Sequence, residues 1–176
     1  MFRSLIVALL LLTGGPAALA KDVAINAFYG KWSGSAMSET EISTHFQVTA
    51  RDLDVRVEPA GAGFLLSWTT IQRQKGAANN PTAVNKSTTM SFMPTDRPNI
   101  WRSSEASDPL RGVYAWARIK ERTLTVNTLR ITDDGGYEMQ TYERTLAPEG
   151  MLLRFTRHRN GEQLRTAKGR LVKDAQ

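Results

Sequence analysis

The chain is predicted to be all-β, an up-and-down antiparallel barrel of about eight to ten strands. Three observations predict it. First, apolar and polar residues alternate with period two, as in Leu53-Asp54-Val55-Arg56-Val57-Glu58, so that one strand face is buried and the other is wet. Second, turn residues interrupt this alternation at roughly ten-residue spacing. Third, no window holds the 3.6-residue apolar repeat of a helix over a useful length, and without helices there is no room for the crossovers of a parallel sheet. A sequential antiparallel meander has two unpaired edges, which closure into a barrel removes. A β-sandwich is the alternative.

Residues 1–20 stand apart from the fold. Arg3 gives a positive start, and Leu5 to Leu12 form an apolar run too short to span a bilayer. Gly14, Gly15 and Pro16 break the run, and Ala18-Leu19-Ala20 fits the small-x-small rule of a signal-peptidase site. The segment reads as a cleaved secretory signal peptide. Residues 21–176 then form one barrel domain, periplasmic or secreted, large enough for a real core. No second long apolar run follows, so no transmembrane segment is expected. Hydrophobic residues at 41% and charged residues at 23% are globular proportions. The sequence has no Cys, so an exported chain must be stable without disulfides and needs a well-closed core. The formal charge of +6 suits anionic lipids, cell-wall polymers or acidic ligands in that compartment, rather than nucleic acid.

Lys21 to Ala27 are expected to form a short plug before the first strand, over 28–37. Strands follow at 45–58, 64–73, 86–93, 99–103, 113–120, 123–132, 137–146, 151–158 and 162–173. Gln74 to Asn85 make the longest polar loop, a place for a lid or a partner contact. Asp133-Asp134-Gly135-Gly136 and Asn160-Gly161 are hairpin signals, because such turns demand positive φ.

Gly30-Lys31-Trp32 on the first strand resembles the Gly-x-Trp opening motif of lipocalins and related calycin barrels. The resemblance implies a Trp32 that closes one barrel end and a Gly30 that lets the chain bend beside it. It also implies a basic side chain from the last strand over that Trp, and Arg170 in Gly169-Arg170-Leu171 is the residue that resembles it.

No cofactor is implied. The histidines are His45 and His158 alone, with no pair at metal-ligand spacing. Either as an axial haem ligand is conceivable, since some barrels related to calycins hold haem; His158, beside a turn, is read as outward. Asp133-Asp134 lacks the alternating acidic ligands of a calcium loop and reads as a plain turn. No Gly-x-Ser-x-Gly or Ser/His/Asp grouping is present. Asp52 and Asp54 share a strand face with Arg56 and Glu58, the composition of a solvated surface rather than a catalytic pair. An enzyme is therefore the third-ranked reading.

Register suggests a ligand site. If Asn160-Gly161 is a two-residue turn, Arg159 pairs with Glu162. Arg157 then faces Leu164, Phe155 faces Thr166, Leu153 faces Lys168 and Met151 faces Arg170. This face has more apolar bulk than its opposite and is expected inward, carrying Arg157 and Lys168 with it. In the preceding hairpin Leu124, Val126, Thr128 and Arg130 are placed with Met139, Thr141 and Glu143. Buried cations need anions. Glu143 serves one, and a ligand carboxylate or phosphate serves another. This resembles fatty-acid-binding barrels, whose interior arginines grip the ligand head group. The expected site is thus a cavity for a small apolar or anionic amphipathic ligand. Arg157 and Arg130 are the head-group contacts, and Trp68, Met139, Leu153 and Phe155 the apolar lining. The alternative is a structural or interaction protein of the cell envelope, a filled barrel without ligand, with no particular protein partner indicated. A fully apolar interior would mark the latter; a few polar groups among apolar ones would mark a cavity.

The mature chain is expected to start at Lys21. Intact mass of protein taken from an envelope fraction checks this; retention of Met1 to Ala20 refutes it.

Overall fold

Alternating sequence becomes ten strands: β1 (Gly30–Thr40), β2 (Thr49–Ala60), β3 (Gly63–Gln72), β4 (Val84–Pro94), β5 (Ile100–Ser103), β6 (Tyr114–Lys120), β7 (Thr123–Ile131), β8 (Tyr137–Ala147), β9 (Gly150–Arg159) and β10 (Glu162–Lys173). The computed structural model describes residues 21–40, 49–72, 84–105 and 108–175. The readings of residues 1–20, His45, the Asp52 side chain and most of the 74–85 loop lie outside the described residues. Each strand pairs antiparallel with its sequence neighbours, and β1 pairs with β10, so the sheet closes on itself. This is an up-and-down barrel of lipocalin-like topology, not a sandwich.

One half of the interior is packed solid. Phe64 stacks on Phe92 with ring centroids 5.0 Å apart and meets Trp101 edge-on at 5.5 Å. Val55, Val57, Leu66, Ala117, Ile119, Leu124, Val126, Met151 and Leu171 fill the space around them. The plug expected before the first strand is a short 3-10 turn, Ile25–Phe28, whose Phe28 is fully buried. Trp32 lies above it at 5% exposure, and its indole N–H donates to the Phe28 carbonyl at 2.9 Å. Gly30, at φ +123°, makes the bend that sets the turn beside Trp32. The Val23 N–H donates to the Glu121 carbonyl, and the Asn99 amide to Asp22, which pins the plug across the strand ends.

The basic side chain over Trp32 is Lys173, not Arg170. The Lys173 ammonium sits 5.4 Å from the indole centroid, a cation–π contact. Arg170 points outward and pairs with Glu149 at 2.9 Å. The cause is a β-bulge in β10. Asn160-Gly161 does form the two-residue turn, with Arg159 opposite Glu162, but the pairing shifts by one residue between Gln163 and Arg165. Beyond the shift Arg165 faces Arg157, Ala167 faces Phe155, Gly169 faces Leu153 and Leu171 faces Met151. Thr166, Lys168 and Arg170 thereby move to the outer face, and Lys168 is no interior cation.

The β7–β8 hairpin departs from expectation in the same way. Thr132 and Gly136 close a three-residue loop, Asp133 to Gly135, with Gly135 at φ +78°. An odd loop places Arg130 opposite Glu138 and Thr128 opposite Gln140. The inner face of β8 is therefore Glu138, Gln140, Tyr142, Arg144 and Leu146, and Met139, Thr141 and Glu143 are on the outer face. Trp116 is also outside, its ring tilted against Tyr114 with centroids 5.7 Å apart.

Replacing Trp32 by Ala removes the lid of the packed half. The expected cost is about 3–5 kcal/mol, a thermal midpoint lower by roughly 10 °C. An unchanged midpoint refutes the closing role.

Candidate functional site

The other half of the barrel is hollow. A cavity of about 420 Å³ opens there, within the size range of small-molecule sites. Its apolar wall is Leu53, Trp68, Met90, Leu153, Phe155 and Ala167; Thr70, Thr88, Thr128 and Gln140 add neutral polar groups, and Lys86, Arg144, Arg157 and Arg165 add positive charge. Trp68, Tyr142 and Phe155 form a continuous aromatic band, each ring centroid 4.9 Å from the next.

Along β8, alternate side chains enter this space and form a polar ladder. The Tyr142 hydroxyl donates to the Gln140 amide oxygen at 2.6 Å, and the Gln140 amide donates to Glu138 at 2.6 Å. The other Glu138 oxygen accepts from Arg157 at 2.6 Å and from Arg130 at 3.1 Å. Glu138 is only 4% exposed. Burial by itself pushes its carboxyl up, but hydrogen bonds from Arg157, Gln140 and Arg130 outweigh that and hold it down at about 2. Burial pushes the Tyr142 phenol up from its ordinary value.

Arg144 stands at the inner end of the ladder, 2% exposed. Its guanidinium lies over Trp68 at 5.2 Å and over Tyr142 at 5.6 Å. Nε and Nη1 are buried with no hydrogen-bond partner, and no carboxylate pairs with this guanidinium among the described residues. Burial pulls its value down to about 10, against the opposing influence of Tyr142, so the group stays cationic at neutral pH. A charge in this state attracts a carboxylate, phosphate or sulfate, for which a guanidinium offers paired donors.

The expected site residues therefore divide. Trp68, Leu153 and Phe155 line the cavity, and so does Arg157, although its Nη2 is held by Glu138. Arg130 is on the same inner face at the rim and half exposed, paired with Glu138 rather than with Glu143. Glu143 is on the outer face and pairs with Arg154 at 3.8 Å, although both residues border the cavity, and Met139, opposite Leu129 and His158, is on the outer face too. His158, as expected, points away from the interior. No cluster of three or more His, Asp or Glu side chains able to hold a metal occurs among the described residues.

Arg144 escaped sequence reasoning because β8 is nearly as polar inside as outside. Glu138, Gln140, Tyr142 and Arg144 carry no more apolar bulk than Met139, Thr141, Glu143 and Thr145, so alternation alone does not orient the strand. The usable signal was the loop: three residues ending in Gly at a left-handed position put Glu138, not Met139, beside Arg130.

No protein-family model matches the chain, and no curated protein matches it. Among solved structures it is similar to the S-type phycobiliprotein lyase CPES of Guillardia theta, at 10% identity over 88% of this chain and 94% of that one, with a TM-score of 0.42. It is also similar to a protein of unknown function from the DUF3598 family of Nostoc punctiforme, at 13% identity over 92% of this chain and 53% of that one, with a TM-score of 0.41. The barrel assignment follows from the strand order and register of this chain itself.

Glu138 ties stability to pH. Its folded value lies below its unfolded one, so its contribution is complete above about pH 4.5 and is lost as pH falls toward about 2. The loss is on the order of 3 kcal/mol. Urea midpoints of wild type and Glu138→Gln at pH 7 and at pH 3 check this. The fall between the two pH values should be clearly smaller in the variant.

Proposed function

We propose that this protein binds a small amphipathic molecule inside the barrel, with an acidic group on Arg144 and an apolar body against Trp68, Tyr142, Leu153 and Phe155. The observation that carries the reading is Arg144, a buried cation on the wall of a cavity with no ionic partner among the described residues. Such a group costs several kcal/mol to bury, and stacking on two aromatic faces offsets only part of that. A ligand acid supplies the missing partner in a site of low dielectric, where each such hydrogen bond is strong. Arg157 and Arg130, the head-group contacts expected from sequence, already share Glu138. The head group is therefore assigned to Arg144, deeper in the barrel.

The alternative, a filled barrel with a structural role, fits this interior less well. A filled barrel is served by apolar side chains, and Arg144 would only destabilise it. The segment 1–20 supports placement of this binding protein in the periplasm or outside the cell, where its cargo would be met. The reading assigns no catalytic step.

Titration with a fluorescent fatty-acid analogue tests it, and Trp68 emission provides a second signal. Arg144→Met should weaken binding about tenfold or more. The same substitution should stabilise the ligand-free protein, by about 1–4 kcal/mol, because it replaces an unpaired buried charge with a well-packed apolar chain. No binding to wild type across acyl, phosphate and sulfate head groups refutes the proposal. Equal affinity in Arg144→Met refutes the role of Arg144.

A further inference from the structure

We infer that the ligand is a dianionic amphiphile, with one acid group at Arg144 in the depth of the cavity and a second at its mouth on Arg165. This rests on the reading above and extends it.

The β-bulge is the first reason. Without the shift between Gln163 and Arg165, Leu164 would face Arg157 from the inner side and Arg165 would point outward. With it, Arg165 stands opposite Arg157 and lines the cavity. Bulges re-aim side chains near functional sites, and here the effect is to exchange an apolar interior residue for a cation.

That cation has no ionic partner among the described residues. Like charges directly opposite one another on a sheet face repel. Arg157 is relieved by Glu138, which also receives Arg130 and Gln140. No carboxylate among the described residues pairs with Arg165. Lys86 enters the same cavity from β4, on another part of the wall, and it too lacks a carboxylate partner among the described residues. The mouth thus carries Lys86, Arg157 and Arg165, while the two carboxylates described near it are already engaged, Glu138 by Arg157, Arg130 and Gln140, and Glu143, which also borders the cavity, by Arg154 at 3.8 Å.

Spacing is the third reason. Arg144 is level with Leu153, and Arg165 is level with Arg157. Four strand residues separate the two levels, about 13 Å. Leu153, Phe155 and Ala167 line the interval. The wall therefore reads cation, apolar stretch, cation, and the complementary molecule reads acid, apolar chain, acid. A monoacid would satisfy Arg144 and leave Arg165 facing Arg157 unrelieved.

Dodecanoate and dodecanedioate are suitable probes, since an extended chain of roughly twelve carbons matches about 13 Å. Isothermal titration calorimetry of both acids should show wild type preferring the diacid about tenfold or more, the size of one charge-assisted contact. In Arg165→Gln the ratio of the two affinities should collapse to about one, and Arg165→Lys should restore part of it. The wild-type preference should also shrink between about 50 mM and 500 mM salt, because a contact at the mouth is screened; this arm needs no variant. Equal affinities in wild type, a preference that survives Arg165→Gln, or one indifferent to salt overturns the second subsite and leaves the Arg144 site standing. Failure of both acids to bind wild type, under conditions where other anionic amphiphiles also fail, overturns both.

Discussion

Closure of the sheet along the β1–β10 seam is the constraint on which the rest of the structure depends. Trp32 to Thr40 run against Arg165 to Lys173, and the middle of the seam's inner face carries small residues, Gly34, Ala36, Ser38, Ala167 and Gly169, between Trp32 and Leu171 at one end and Arg165 at the other. A Cβ added at Gly34 would lie 2.1 Å from the Arg170 carbonyl oxygen, and one at Gly169 would lie 2.5 Å from that of Ser35. No side chain fits there, which is why the wall can curve back on itself and join its own beginning. An unclosed meander would expose two rows of unpaired backbone groups. Asp174, just past the seam, reinforces it: its N–H donates to the Lys31 carbonyl, and its carboxylate takes the Ser33 hydroxyl and the Lys31 ammonium.

The small middle of the seam leaves most of the filling of the interior to the other walls, and only half of it is filled. At the Trp32 end, rings from β3, β4 and β5 interlock, and aliphatic chains from β2, β6, β7, β9 and β10 complete a dry core. Toward the far end β8 contributes a polar ladder in place of apolar bulk. A low-dielectric space strengthens every hydrogen bond made in it and penalises every one left unmade. Glu138 is at the favourable extreme, with three donors. Arg144 is at the other, with a buried charge and no partner for two of its nitrogens.

The two halves thus play opposite parts in the energetics. The packed half supplies hydrophobic stabilisation, at about 25 cal/mol per Å² of apolar surface removed from water. In the proposed function the hollow half draws on that stability to hold cations in readiness for a ligand acid, a common relation between stability and function. Pre-placed charge needs no reorganisation when a ligand arrives, so more of the interaction appears as affinity.

The sequence by itself determined the succession of strands and bounded their number at eight to ten, because period-two alternation and turn residues are local properties. Leu53 to Glu58 and the Asn160-Gly161 turn were legible in that way, and the buried Trp32 was legible from the resemblance of Gly30-Lys31-Trp32 to the lipocalin opening motif. So were Leu153, Phe155 and Arg157 as inner-face residues of β9. The tertiary structure alone decided which face of β8, and of most of β10, turns inward. Side chains alternate strictly along a strand, so one residue more or less in a loop, or one bulge, exchanges its two faces. The three-residue loop before Tyr137 brought in Glu138 and Arg144 in place of Met139 and Glu143. The bulge at Leu164 brought in Arg165 and seated Lys173, not Arg170, on Trp32. A bulge forms where closure against both β9 and β1 demands it, and that demand belongs to the whole barrel rather than to any short stretch of chain.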